Sequence, residues 1–459
     1  MKNTFMALSA TLAMVSCGNM KDVETKQINK KNEISKSVEN DAKADFTSKS
    51  PFKINKDWWQ AFDDPTLNDL ILQAVDQNLD LKLLVKRVDL ARLAVSDAQF
   101  DKIPKLSSSI SQPGSTSSDD GNFKSRSKFN AHVSWEADIW GRLEAASRGA
   151  LAEYKATEAD YRGAYLKVIN DMANIYFNIR MLDEQQSLHE WAIKDTEEIL
   201  RMYVNREKIG LANKEQASSQ KAEVLRLKSD LVNIERQREV LAMQLNLLLG
   251  RAPHAITLEH QKMTQSISIP EPPKELSFSL ISRRPDVIAA DLRLREAYFN
   301  EESARVARLP QVSVGLDYTM SSASLASITD NWVLSVLPKI SFPALDPATK
   351  VELERRGVFV ESKQIEYKKS LLSAVNDVEE AIMNIKYRRQ QLAIEKERTN
   401  QLEVSYQQTM KRFETGLISH LEVFEVERTL INSKQRYLDN YREVLSQTSK
   451  VFISLGGGW

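Results

Sequence analysis

Residues 168–180, VINDMANIYFNIR, and residues 374–386, AVNDVEEAIMNIK, are two versions of one helical stretch. Asn170-Asp171 recurs as Asn376-Asp377 and Asn178-Ile179 as Asn384-Ile385, an offset of 206 (376 − 170). The same offset links Asp80 to Asp286, Arg87 to Arg293, Ala98 to Ala304 and Ile103-Pro104 to Leu309-Pro310. It continues through Arg206/Arg412, Gly210-Leu211/Gly416-Leu417 and Leu249-Gly250/Leu455-Gly456. Chance does not hold one register over such a span, so the chain is a tandem duplication, roughly 66–250 and 272–456. A Pro-rich connector, IPEPPKE at 269–275, lies near the join. Any acceptable fold must take the same unit twice.

Each repeat has the same inner order. Residues 66–103 are helical in composition and stop where Pro104 forbids continuation. Residues 143–207 hold no Pro and only Gly149 and Gly163, and Val168, Met172, Ile175, Ile179 and Leu182 fall at 4-3-4-3 spacing, a heptad seam. A helix of that length reaches about 100 Å. Gly210 turns the chain back, and 212–249 is helical again. Val224, Leu227, Leu231, Ile234, Leu241, Leu245 and Leu248 form a second seam there, with Arg238 its only polar occupant. The spacing thus predicts an antiparallel coiled-coil layer in each repeat, with helix-turn tips at Gly210 and Gly416. Helices alone leave a pore-free coiled-coil scaffold open as a reading.

Between the helices the period changes. In 128–140, KFNAHVSWEADIW, Phe129, Ala131, Val133, Trp135, Ala137 and Ile139 alternate with polar residues, and in 311–321, QVSVGLDYTMS, Val312, Val314, Leu316, Tyr318 and Met320 do the same. Segments of this kind suit a transmembrane β-barrel with an apolar outside and a polar lumen. Trp135, Trp140, Tyr318 and Trp332 are candidate membrane-interface aromatics. One such strand by itself would equally suit a soluble sandwich. The partner strands near 105–112 and 331–342 are less regular: the first is serine-rich, and Pro338 removes a ladder donor from the second. That second strand matches better at an offset of 205, which calls for a compensating residue in the turn after it. Two hairpins, about 105–140 and 311–342, make four strands, too few to close a barrel, and an open sheet in lipid leaves unpaired backbone at both edges. The chain must then be an oligomer that shares its barrel.

The amino end, MKNTFMALSATLAMVS, is a short apolar run behind Lys2, the pattern of a secretory signal peptide over 1–16. The single cysteine, Cys17, follows it in Val15-Ser16-Cys17-Gly18, which resembles a bacterial lipobox whose cysteine becomes the lipidated first residue; the alternative is an ordinary signal with a coincidental cysteine. Residues 17–57 read as lipid anchor and polar tether. No later run is long and apolar enough for a transmembrane helix. Lys+Arg 63 balances Asp+Glu 63, so no basic excess points to nucleic acid, and Gly 14 and Pro 13 are few for 459 residues, as long helices require.

Five stretches then carry a resemblance: WWQAFDDPTLNDLI (58–71), SWEADIWGRLEAAS (134–147), LISRRPDVIAADLRL (280–294), RFETGLISHLEVFEVERTL (412–430) and the terminal SLGGGW. Together they resemble the TolC-like outer-membrane efflux proteins, in their lipoprotein branch, over residues 58–459. The resemblance implies a mostly α protomer with membrane β-barrel strands. It would be a first repeat over 58–271 and a second over 272–459, assembled as a homotrimer with a twelve-strand β-barrel and a twelve-helix tunnel. It also implies a smaller mixed layer midway and a place in the outer membrane, extending into the periplasm. Its partners would be outer-membrane lipid, a periplasmic adaptor and an inner-membrane pump, often of the resistance–nodulation–division class, and its cargo drugs, metal ions or other small molecules. An exit for protein secretion is a variant of the same reading.

No enzyme site and no cofactor beyond the Cys17 lipid are expected: the five histidines lack metal-ligand spacing, and no G-x-S-x-G or Walker A run occurs. His254 and His260 read as surface residues. By resemblance, Arg283-Arg284-Pro285-Asp286 is a helix start. By the same resemblance Glu422 and Glu425, after Gly416, stand on the two acidic positions of the family's periplasmic gate. Three apart, they share a helix face, and a trimer would aim six carboxylates at its axis. The alternative is two solvated glutamates on a charged helix. Their first-repeat equivalents, Gln216 and Ser219, are neutral. Phe413 and Ile418 stand where relatives use Tyr and Arg to tie the mouth shut, and Gln216 replaces an acidic partner of that tie, so closure here needs other contacts.

Overall fold

The structure, a computed structural model, describes residues 57–116, 123–210, 213–271, 278–322, 328–329 and 331–457, all within one compact unit, Asn55–Trp459. The expected signal peptide, Cys17 and the tether as far as residue 56 lie outside the described residues, as do Gly458 and Trp459.

The first repeat opens on a 3-10 turn, Trp58–Phe62, that buries Trp58, Trp59 and Phe62. Asp64 then caps α1 (Pro65–Gln77), taking the Leu67 N–H at 3.0 Å, with Pro65 at the first position, where its missing N–H is harmless. The single helix expected over 66–103 is two: Asn78 ends α1 and caps α2 (Leu79–Phe100) by accepting the Leu81 N–H at 3.0 Å. Strand β1 (Lys105–Ser111), the short pair β2 (Gly114–Thr116) and β3 (Phe123–Ser125), and β4 (Ser127–Ala137) make the hairpin. Helix α3 (Arg142–Lys208) runs 67 residues, about 100 Å, and α4 (Lys214–Leu248) returns along it. A connector with one helical turn, α5 (Met263–Ser266), leads to α6 (Pro285–Val306), β5 (Gln311–Ser322), β6 (Trp332–Ser341), α7 (Pro347–Glu414) and α8 (His420–Ser454).

In two helix pairs the duplication holds to the residue. Adding 206 carries α2 onto α6 and α4 onto α8 at both ends. The tips repeat as well: Gly210 and Gly416 have φ of +74° and +76°, a conformation that glycine adopts without the clash of a β-carbon. Even single contacts recur. Asn78 Nδ2 donates to the Leu248 carbonyl at 2.9 Å, and its equivalent, Arg284, donates through Nη1 to the Ser454 carbonyl at 3.3 Å. Each ties the start of a short helix to the end of the returning one.

The main sheet has the order β1-β4-β5-β6, antiparallel throughout, so the two hairpins join at β4–β5 and β1 and β6 form the outer edges. Lys105 faces Ser134, whereas Gln311 faces Ser341. The fourth strand is therefore displaced to an offset of 207 (341 − 134), not the 205 that the residue match indicates. The two offsets share parity, which is what keeps the apolar residues on one face. The main core lies midway along α3, where Met172, Tyr176 and Phe177 meet the 3-10 turn, α1, Met263 and Ile267 of the connector, and Leu438 and Leu445 of α8. The mixed layer implied for this level is, among the described residues, this connector wrapped on α3 without strands.

Candidate functional site: the sheet faces and the helix tips

The register sorts the sheet residues onto two faces. On one lie Leu106 and Ile110 of β1, Phe129, Val133 and Trp135 of β4, Val312 to Met320 in alternation on β5, and Trp332, Leu334, Val336 and Ile340 of β6. On the other, His132 Nδ1 meets Asp317 Oδ1 at 2.6 Å across the join of the repeats, and Thr319 Oγ1 donates to Asn130 Oδ1 at 2.6 Å. Gly315 lies beside this pair, where a β-carbon would make only ordinary contact with the His132 ring at 3.6 Å. Val333 and Leu337 interrupt the polar face on β6.

The four candidate interface aromatics fall at two levels. Trp135 pairs with Val314 and donates its indole N–H to the Lys102 carbonyl at 3.0 Å. Trp140, on the strand-to-helix corner rather than in a strand, donates to the Pro310 carbonyl at 2.7 Å. The Tyr318 and Trp332 rings meet at a 32° tilt, 6.1 Å between centroids, near the other end, where Trp332 pairs with Met320. Val314 and Met320 are six residues apart on one strand, about 20 Å, close to the apolar band of an outer-membrane barrel at about 25 Å. The corner around Trp140 is itself braced: Asp138 accepts the Leu143 and Glu144 N–H groups, and Arg142 forks onto Glu136 at 3.0 and 2.7 Å.

At the opposite end of α3 and α7 are the Gly210 and Gly416 tips. Phe413 is buried between the repeats with Ile199, Tyr203, Ala217 and Val423, Ile418 packs beside it, and the Arg206 guanidinium sits 5.5 Å over its ring. An apolar cluster thus stands at the positions where the resemblance implies a polar tie in relatives. Glu422 and Glu425 are both exposed on one side of α8, and each has a partner in its own chain. Glu422 reaches back to the Ser419 N–H at 3.4 Å, as Gln216 reaches the Asn213 N–H at 3.2 Å, so it completes a helix cap. Glu425 pairs with Arg428 at 2.9 Å.

Two polar clusters went unforeseen. About two turns into α8, Glu427 is 3 % exposed and accepts from Thr196 Oγ1 at 3.1 Å, and the Tyr406 hydroxyl donates to neighbouring Asp195. Burial, then Asp195 and Glu223, push the Glu427 carboxyl up to about 7 against the opposing Thr196 bond, and burial also raises Asp195. The signal was present: Val423, Glu427 and Leu430 run at 4-3 spacing, so a carboxylate occupies an apolar seam. Midway along α3, buried Asp183 binds Arg180 at 3.0 Å and Arg238 at 2.6 Å, and the two arginines hold the connector carbonyls of Glu259 and Leu258. Exposed His260 lies 3.3 Å from Asp183, and His254 is exposed. Among the described residues no three His, Cys, Asp or Glu side chains converge to hold a metal ion.

One helical face is covered in the first repeat and bare in the second. Ala145, Ala152, Ala159 and Leu166 of α3 are buried against α6. Their equivalents on α7, Val351, Val358, Ile365 and Leu372, are seven apart and 54–69 % exposed. On the other side of the chain, α2 packs on α3 and leaves Leu83, Leu90, Leu93 and Phe100 exposed.

The comparisons with known proteins agree with this geometry. Residues 70–251 and 276–457 match the family described as "Outer membrane efflux protein", one match per repeat and again 206 apart. The pyoverdine export outer membrane protein OpmQ of Pseudomonas aeruginosa is 25% identical over 416 residues, covering 88% of both chains. The cation efflux system protein CusC of Escherichia coli O157:H7 is 25% identical over 418 residues, 88% of this chain and 89% of its own. The probable outer membrane lipoprotein SilC of Salmonella typhimurium is 25% identical over 417 residues, 88% of both. Among solved structures, the open state of the Neisseria gonorrhoeae MtrE outer membrane channel superposes with a TM-score of 0.80 at 23% identity, covering 90% of this chain and 94% of that one.

Proposed function

The chain belongs to the outer membrane efflux protein family and serves as an outer-membrane exit channel, and we propose that three copies close it into one duct. The observation that carries the reading is the four-stranded sheet, apolar on one face, with unpaired edges at β1 and β6. Those edges run in opposite directions, so β1 of one copy continues the antiparallel order beside β6 of the next, and three copies give twelve strands without a free edge. The helices support the same closure. Since α6 covers α3, its equivalent α2, from a neighbouring copy, suits the bare stripe on α7. Trp135 and Trp140 would then stand at the periplasmic border of the membrane and Tyr318 and Trp332 at the outer one, with the His132–Asp317 face lining the lumen.

The Gly210 and Gly416 tips would form the periplasmic mouth, where an adaptor docks and an inner-membrane pump, of the resistance–nodulation–division class, delivers cargo. Drugs, metal ions or other small molecules are the proposed cargo, in keeping with the pyoverdine and cation exports named for the relatives. Cys17 would carry a lipid that assists an anchoring provided mainly by the barrel, in keeping with the lipoprotein named among the relatives. Glu422 and Glu425 would face the axis as a gate ring, weakened by Ser419 and Arg428. The test is conductance of the purified full-length protein in planar bilayers. Wild type should conduct with a cation preference, which Glu422→Gln/Glu425→Gln should lower by about twofold, as expected of exposed, partly paired charges. Absence of conductance removes the duct; an unchanged preference removes the gate ring.

A further inference from the structure

Glu427 sits in the apolar seam of α8 between Val423 and Leu430, close to the Gly416 tip, and helices of both repeats face it. Asp195 and Thr196 come from α3, Gln220 and Glu223 from α4, and Tyr406 and Glu403 from α7. Thr196 Oγ1 donates to Glu427, Gln220 Nε2 donates to the Thr196 carbonyl at 3.3 Å, and the Tyr406 hydroxyl donates to Asp195. The nearby cations are engaged elsewhere: Lys434 with Glu403, Arg226 with Glu223 and Asp230, Lys228 with Glu197, and Arg428 with Glu425. A carboxylate that is buried, faces two others and has no ion pair among the described residues is disfavoured in its charged form. The first repeat has Lys221 at the equivalent place, exposed, so the feature belongs to one hairpin only.

We propose that Glu427 is a proton-operated latch between the two helical hairpins. With its proton it stays seated against Thr196 and holds α8 to α3 beside the tips; when the proton leaves, that end of the hairpin pair loosens. The proposal rests on the reading of the tips as the channel's periplasmic mouth. Its sign follows from linkage. The seated carboxyl titrates at about 7, above the about 4.3 of a free glutamate. An acid whose pKa is higher when seated than when released is held most firmly in its protonated form. Seating is therefore full at and below the released value and is progressively lost as pH climbs to the seated one, where the loss levels off.

Hydrogen exchange on the full-length protein, corrected for the intrinsic pH dependence of exchange, reads the latch directly. Opening of amides in 196–208 and 420–431 should rise about tenfold per pH unit from about pH 5 to about pH 7 and then level off, while amides of the core at 172–179 stay flat. Glu427→Gln keeps an oxygen for Thr196 and cannot ionise, so its tips should be protected at every pH. Asp195→Asn removes a repelling carboxylate and should move the levelling-off to lower pH. Wild-type tips whose exchange is flat with pH, or a Gln variant with the wild-type slope, overturn the latch. Should the Gln variant fail to fold, an unmoved transition in Asp195→Asn overturns it instead. Conductance separates the two readings: a pH-dependent tip in a protein that never conducts removes the mouth and leaves the latch, and a conducting protein with pH-independent tips does the reverse.

Discussion

The two repeats share a ground plan, yet the first is nearly complete within one chain and the second is not. Helix α3 buries residues along its whole length, whereas α7 buries few and keeps the heptad stripe at Val351, Val358, Ile365 and Leu372 bare. The midpoints differ too. Arg180, Asp183 and Arg238 of the first repeat become Lys386, Arg389 and Val444 in the second. The reason lies in the connector. It leaves α4 and must be held against α3, so a buried charge network grips its carbonyls. In the second repeat buried Val444 fills the place of Arg238, and Arg389 reaches the connector at the Pro270 carbonyl. Divergence between duplicated halves thus marks where the chain's surroundings differ, either in its own connector or in a neighbouring copy.

The comparison breaks most visibly at the bare stripe. Val358→Glu/Ile365→Glu places carboxylates where the protomer already exposes apolar surface, so the protomer should fold and the trimer should vanish in light scattering, since buried unpaired charge costs several kcal/mol per interface. A trimer that survives would mean that α7 is not the seam. Next in size is the connector clamp. Asp183→Ala strands two buried guanidinium groups and should lower stability by about 3–5 kcal/mol. Arg389→Ala at the equivalent position loses one bond to the Pro270 carbonyl and should cost about 1–2 kcal/mol. Equal losses in thermal melting would erase the asymmetry. The smallest contrast is at the helix ends. Gly250 and Gly456 both have positive φ, so alanine costs about 1–2 kcal/mol at either. A β-carbon at Gly250 would also lie 2.7 Å from the Gln77 carbonyl oxygen, against 3.5 Å from that of Arg283 at Gly456. Gly250→Ala should therefore melt lower than Gly456→Ala.

Much of this was legible in the chain. The 206 offset determined the duplication, heptad spacing the long seams, and strict alternation in 128–140 and 311–321 the two-faced strands, because each is a local period that the backbone must obey. Gly210 and Gly416 were legible as tips for the same reason. What the periods could not supply was pairing. The tie from Asn78 to the Leu248 carbonyl spans 170 residues, and the 207 offset of β6 depends on which residues of β5 it meets. Arg238 was visible as a lone polar residue in a seam, but its partner Asp183 sits on another helix. Resemblance singled out Glu422 and Glu425 and spacing put them on one helix face, while the Ser419 and Arg428 contacts come from side-chain geometry. Glu427 is the sharpest case: sequence puts a glutamate in an apolar seam, and only the convergence of α3, α4 and α7 around it decides that its charge is disfavoured, because desolvation depends on neighbours distant in the chain.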